Sequence, residues 1–190
     1  MMDDNLMQKA SKSPVKWDDI QLVIFDCDGV LTDGKIIYCN SESLSIIETK
    51  HFNAHDGMGF SLLHRAGLIS AVITGRTSHA LAKRCKDLSI KYLYQGVQNK
   101  LEKAYKLINK LGLRWNQVVY MGDDWNDIPV MQTVAFSVTP VDAMPEIKAL
   151  ADYVTTHIAG DGAARDCIDY ILYKKGLYEK TVAQYLNEIS

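Results

Sequence analysis

Along most of the chain, short runs of consecutive apolar residues alternate with longer stretches of helical periodicity. Residues 22–25, Leu-Val-Ile-Phe, have no polar face, so they predict a strand buried on both sides, as in a parallel sheet. Comparable runs at 68–73 and 118–121, and shorter ones at 91–94, 135–138 and 153–156, predict further strands. Between them lie helical patterns. The first is opened by Asp56 and runs from Gly57 to Ala66, with Met58, Leu62 and Leu63 on one face and Gly67 as the stop. The others are Ser78–Leu88, Asn99–Leu111 with an apolar stripe of Leu101, Ala104, Tyr105 and Ile108, Ile128–Thr133, Pro145–Leu150 and Ala163–Lys174. Strands that alternate with amphipathic helices predict an α/β fold: a three-layer, Rossmann-like sandwich around a mostly parallel sheet.

One stretch breaks the alternation. After the first strand a helix is expected, but residues 34–52 read as two short strands, Lys35–Cys39 and Ile46–Lys50, around the turn-forming cluster Asn40-Ser41-Glu42-Ser43. This is a β-hairpin insertion with too few apolar residues for a core of its own, and an isolated hairpin is marginal in water. It must pack on something else, another subunit among the possibilities. No repeat or large insertion interrupts the rest. The expected organisation is an N-terminal arm (1–19), one domain (20–175) carrying the hairpin, and a C-terminal tail (176–190).

Composition narrows the functional classes. The 190 residues are 47% hydrophobic and 23% charged, with a net charge of −2. No basic surface is implied, so nucleic acid and anionic membranes are not expected partners. Cys27, Cys39, Cys85 and Cys167 are far apart and form no metal-binding or disulfide pattern, which suits reduced thiols in the cytoplasm. Cys27 reads as a small apolar residue. No apolar run approaches a membrane span, and the opening residues lack the hydrophobic stretch of a signal peptide.

The chemistry gathers at the strand ends. Right-handed crossovers place every carboxyl end of a parallel sheet on one edge, where such sheets bind ligands. That edge would collect Asp26 and Asp28 after the first strand, Thr74 after the second long run, and Asp123, Asp124 and Asp127 after residues 118–121. Alone, Asp26 and Asp28 would be a polar strand exit, Thr74-Gly75 a turn, and Asp123-Asp124 a helix cap. Together they place repelling carboxylates at the end of a buried strand, which asks for a cation. Mg²⁺ suits one or two carboxylates plus a substrate phosphate, and Asp26 and Asp123 could supply them. The Thr74 hydroxyl could donate to a phosphate oxygen. Lys100, at the start of a helix after the Gly96 turn, could neutralise phosphate charge.

The ordered set Asp26-Cys27-Asp28-Gly29-Val30-Leu31-Thr32-Asp33, Thr74-Gly75-Arg76, Lys100 and Gly122-Asp123-Asp124-Trp125-Asn126-Asp127 resembles the haloacid dehalogenase superfamily of phosphatases. The resemblance implies a two-step phosphoryl transfer. Asp26 attacks phosphorus and becomes an aspartyl phosphate, while Asp28 protonates the leaving alcohol and then activates water. It further implies that Asp28 ligates Mg²⁺ through its backbone carbonyl, beside Asp26 and Asp123. Thr74 and Lys100 hold phosphoryl oxygens. Asp127, ahead of Asp124, contacts metal-bound water or orients Lys100.

Beyond the superfamily, several features are similar to the 3-deoxy-D-manno-octulosonate (KDO) 8-phosphate phosphatase family. They are the lack of a large cap, the hairpin, Phe52-Asn53-Ala54-His55-Asp56-Gly57, Arg84-Cys85, Leu93-Tyr94-Gln95-Gly96, Asn99-Lys100 and Ala151-Asp152-Tyr153-Val154-Thr155. Phosphatases of nine-carbon 2-keto sugar acid 9-phosphates share most of them. The resemblance implies a small phosphorylated sugar-acid substrate in lipopolysaccharide precursor synthesis and a homotetramer whose hairpins form a central barrel. It places substrate contacts at Arg76, Arg84, Asp56, Gly57 and Arg165. Two departures bear on recognition: Asp161 and His55 each stand where an arginine is usual in the family. A phosphoryl-accepting receiver module is the alternative class, but an acid two residues after Asp26, on the first strand, argues against it.

Overall fold

The computed structural model describes residues 14–40 and 46–190. Among the described residues there are eight strands: β1 (Leu22–Phe25), β2 (Ile37–Asn40), β3 (Ile46–Thr49), β4 (Ile69–Ile73), β5 (Tyr92–Tyr94), β6 (Val118–Met121), β7 (Phe136–Thr139) and β8 (Tyr153–Val154). Six form one parallel sheet in the order β5-β4-β1-β6-β7-β8. The helices are α1 (Ala54–Arg65), α2 (His79–Asp87), α3 (Lys100–Lys110), α4 (Ile128–Thr133), α5 (Pro145–Leu150), α6 (Ala163–Lys174) and α7 (Tyr178–Ile189).

The period-2 pleat of β1 explains the three layers. Val23 and Phe25 enter one core with residues of α1, α2 and α6, while Leu22 and Ile24 enter a second core with residues of α3, α4 and α5. All four side chains are fully buried. Strand β1 lies in the middle of the sheet, so residues leaving its carboxyl end are flanked by those leaving β4 and β6.

The hairpin pairs β2 with β3 antiparallel, Ile37 opposite Thr49 and Asn40 opposite Ile46, as a separate two-stranded sheet. Most of its expected turn, residues 41–43, lies outside the described residues, as do residues 1–13 of the expected arm. The end of that arm is docked. Trp17 meets Phe136 edge-on at 4.9 Å, and Lys175 Nζ donates to the Trp17 and Ile20 carbonyls at 2.7 and 2.9 Å.

Three expectations about elements are corrected. Helix α1 begins before Asp56, because the Asn53 side chain accepts the His55 N–H at 2.7 Å and caps an earlier turn. On α3 the inward face is Ala104, Leu107 and Ile108, whereas Tyr105 is 53% exposed. Counting from Leu101 selects the wrong rotation of this helix. The true face also contains Lys100, which is why that lysine is buried. The third is smaller: within the expected tail, residues 178–189 form helix α7, whose Val182 and Tyr185 pack against the core that holds α1 and α6.

Candidate active site

Asp26 follows β1, Thr74 follows β4 and Asp123 stands two residues beyond β6. The register Phe25↔Val72 and Phe25↔Met121 brings these three exits to one edge. Asp26 and Thr74 are 5% and 2% exposed. Lys100 reaches the same point from the first position of α3, where the Asn99 side chain accepts the Glu102 N–H at 3.0 Å and starts the helix. Lys100 Nζ lies 2.8 Å from Asp26 Oδ2, 2.7 Å from Asp127 Oδ1 and 3.3 Å from Asn126 Oδ1.

Asp127 is fully buried and has protein donors at both oxygens. Oδ1 accepts from Lys100 and from the Tyr120 hydroxyl, and Oδ2 accepts the Asp123 and Asp124 N–H groups at 3.1 and 3.3 Å. Asp127 thereby holds the Lys100 ammonium in place. Asp124 is exposed and caps the short turn Trp125–Asp127 through the Trp125 N–H at 2.7 Å.

Carboxylates of Asp26, Asp123 and Asp127 offer oxygens within 4.8 Å of one another. One lysine cannot balance three acids in a site this buried. Burial first, and then the Asp127 charge, pushes Asp26 up to about 7 and Asp123 up to about 8. Burial alone would lower Lys100, but Asp127 and Asp26 outweigh it and hold the ammonium above its usual value. Asp26 Oδ1 and Asp123 Oδ1 are buried with no hydrogen-bond partner. Two orphaned carboxylate oxygens in one cluster, in an all-oxygen donor set, fit a hard divalent cation such as Mg²⁺. Gly29, at φ +80°, makes the close packing possible: a Cβ there would fall inside the Asp123 carboxylate. A cleft of about 280 Å³, lined by Gly29, Asp33, Gly34, Lys35, Asp123 and Asp142 among others, opens onto Asp123.

Asp28 turns elsewhere. Its Oδ1 accepts from Lys50 Nζ at the end of β3 and from the Thr32 hydroxyl at 3.4 Å, while Oδ2 lies 3.7 Å from Arg76 Nε. Arg76 in turn donates to Glu48 of β3. Lys50 and Glu48 were not anticipated, because charges at the end of a two-stranded hairpin read as solvated. Tyr120 was missed too, since within an apolar run its ring reads only as core. Burial pushes the Cys27 thiol up, and the side chain is fully buried, as its apolar reading requires.

Of the five expected substrate contacts, only Arg76 adjoins Asp28. Asp56, Gly57, Arg84 and Arg165 come together instead at the junction of α1, α2 and α6. The Asp56 carboxylate accepts the Arg165 N–H at 2.9 Å, Arg165 pairs with Asp169 at 2.7 Å, and Arg84 donates to the Asn53 carbonyl at 2.8 Å. A Cβ on Gly57 would lie 3.1 Å from Arg84, so the glycine admits that guanidinium. Asp161 accepts from Asn53 Nδ2 at 2.8 Å.

Comparison with known proteins bears on this geometry. A family model described as haloacid dehalogenase-like hydrolase matches residues 89–165. The 3-deoxy-D-manno-octulosonate 8-phosphate phosphatase of Escherichia coli K12 is 40% identical over 169 residues, covering 89% of this chain and 88% of that protein. The corresponding Yersinia pestis protein is 39% identical over 89% of this chain and 84% of its own length. Among solved structures, the Moraxella catarrhalis phosphatase in complex with magnesium, phosphate and KDO superposes with a TM-score of 0.83. It is 32% identical and covers 97% of this chain and 99% of that one. The cobalt-bound Haemophilus influenzae phosphatase gives a TM-score of 0.78 at 34% identity, over 86% of this chain and 93% of that one.

Proposed function

Because the chain belongs to the 3-deoxy-D-manno-octulosonate 8-phosphate phosphatase family of haloacid dehalogenase-like hydrolases, we propose that it hydrolyses KDO 8-phosphate to KDO and inorganic phosphate. The observation that carries the chemistry is the buried pairing of Asp26 with Lys100 at the carboxyl end of the central strand, with Asp26 Oδ1 free of any protein donor.

In the proposed sequence Asp26 attacks phosphorus in line with the bond to the sugar oxygen. The new bond joins Asp26 to phosphorus, the bond to the C8 oxygen breaks, and a proton from Asp28 goes to that oxygen. Water then attacks the aspartyl phosphate while Asp28 takes its proton, which regenerates Asp26 and releases phosphate. Lys100, fixed by Asp127, and the Thr74 hydroxyl hold the phosphoryl oxygens, so positioning and charge carry most of the acceleration. Asp26, Asp123 and the Asp28 carbonyl would hold Mg²⁺. When bound, that ion neutralises charge developing on the transferred group.

Arg76, 3.7 Å from Asp28 Oδ2, would meet the substrate carboxylate, and its exchange of Glu48 for that carboxylate would couple binding to the hairpin. A homotetramer built on the hairpin is part of the proposal, supported by the exposed Ile36, Tyr38, Ile46 and Ile47. So is a cytoplasmic location, consistent with four free cysteines. No helix among the described residues is long and apolar enough to cross a membrane.

Phosphate release from KDO 8-phosphate tests this reading. Asp26→Asn should lower turnover by at least about 10³-fold, and EDTA should silence the wild-type protein until Mg²⁺ is restored. Retained turnover in either case contradicts the mechanism.

A further inference from the structure

The two oxygens of Asp28 have different surroundings. Oδ1 is anchored by Lys50 and the Thr32 hydroxyl, whereas Oδ2 is buried and accepts no hydrogen bond. The anchoring lysine arrives on the hairpin rather than on the sheet. Its side chain is only 3% exposed, and its ammonium also lies 3.5 Å from Glu48 Oε1. Glu48 Oε2 accepts from Arg76, whose Nε stands 3.7 Å from the free oxygen of Asp28. Two carboxylates and two cations thus close a ring that joins Glu48 and Lys50 of the hairpin to Asp28 and Arg76 at the sheet edge.

A buried lysine must be held by partners, since desolvating an unpaired ammonium is costly. Stability alone would be served by replacing the whole ring with apolar side chains, because exchanging complete buried ion pairs for apolar groups is often neutral. The ring does something an apolar contact would not: it fixes Asp28 Oδ1 through Lys50 and leaves Oδ2, 3.7 Å from Arg76 Nε, without a hydrogen bond. An acid–base carboxylate needs such a fixed direction, because rate falls steeply when the reacting atom is misplaced by about 1 Å.

From this geometry we infer that Lys50 is a positioning residue, which clamps Asp28 Oδ1 so that Oδ2 faces the oxygen of the leaving group. The inference rests on the phosphatase reading above. During transfer the proton passes from Oδ2 to the sugar oxygen as its bond to phosphorus breaks, and Lys50 exchanges nothing. Glu48 serves the same end by holding Lys50 and Arg76 together. The hairpin is therefore part of the catalytic apparatus of its own subunit as well as a surface for assembly.

The test uses the need for a proton. An alkoxide leaving group such as the C8 oxygen of KDO 8-phosphate departs poorly without protonation, whereas p-nitrophenolate departs unaided. Values of kcat/KM, which report the phosphorylation step, are measured for KDO 8-phosphate and p-nitrophenyl phosphate with wild-type protein, Lys50→Met and Lys50→Arg. General acid catalysis contributes about 10²–10⁴-fold, so Lys50→Met should lose on the order of 100-fold on the sugar phosphate and less than about fivefold on the aryl phosphate. Lys50→Arg should recover most of the loss.

Equal losses on both substrates, or no loss on either, would overturn the inference. If Lys50→Met fails to fold by circular dichroism, Lys50→Gln takes its place under the same criterion. Absence of Mg²⁺-dependent turnover by the wild-type protein would instead bring down the phosphatase reading, and this inference with it, before any variant is compared.

Discussion

At Asp56 one carboxylate oxygen accepts the Arg165 N–H and the other is buried with no partner. Burial is the largest influence on it and pushes the group up to about 6 from 3.8. The folded protein therefore binds this proton more tightly than the unfolded chain. That favours the folded state at low pH and is lost as pH rises from about 4 to about 6. A shift of this size corresponds to roughly 2–3 kcal/mol. In Asp56→Asn the loss should disappear, so the stability of the variant relative to wild type should rise by that amount between pH 4 and pH 7 in urea melts. Parallel stability curves would show that Asp56 is not desolvated. Residues at this scale were legible where the backbone dictates position. Asp26, Thr74, Asp123 and Lys100 each end a strand or begin a helix, and the parallel topology leaves them one edge to occupy. Contacts made by long side chains were not legible. Arg76 reads as a free cation for substrate but is held by Glu48, and nothing in the spacing of Ile46-Ile47-Glu48-Thr49-Lys50 announces that two of its charges turn inward.

Among the elements, the hairpin is the one whose pattern conflicts with a monomer. Ile46 is 71% exposed and Ile47 48%, with Tyr38 63% exposed on the strand opposite. Such a cluster on a two-stranded sheet supports the proposed assembly, in which another chain would cover it. Ile46→Asp with Ile47→Asp should shift the sedimenting mass below that of a tetramer. Exposed substitutions change monomer stability by only about 0.5 kcal/mol, so helical circular dichroism should be kept. An unchanged mass would remove the hairpin from the interface. This mismatch was readable because hairpins need three or more strands or a helix to lean on. Helix α7 was not, because its buried contacts come from scattered positions of a largely polar segment and depend on α1 and α6 being in place. The rotation of α3 was ambiguous for a related reason. Two stripes offset by one residue are both apolar, and the core chose the one that carries Lys100 inward.

For the whole molecule, strand order follows from simple rules. Runs without a polar face must be central and parallel, and β1, β4 and β6 have the strongest such runs. These three meet at the middle of the sheet, which places Asp26 between Thr74 and Asp123. Chain order alone does not say what the substrate is beyond its phosphate. The cleft beside Asp123 carries Lys35, Asp33 and Asp142 on its rim, charges that could bear on which phosphate ester it admits. Specificity is thus the property that most directly separates a KDO 8-phosphate phosphatase from a general one. The decisive measurement is kcat/KM, in saturating Mg²⁺, for KDO 8-phosphate, a nine-carbon 2-keto-3-deoxy sugar acid 9-phosphate, and glucose 6-phosphate. KDO 8-phosphate should exceed glucose 6-phosphate by at least about 10²-fold, the discrimination that charged and hydrogen-bonded recognition supplies, and should exceed the nine-carbon substrate as well. Equal values across the three would contradict it.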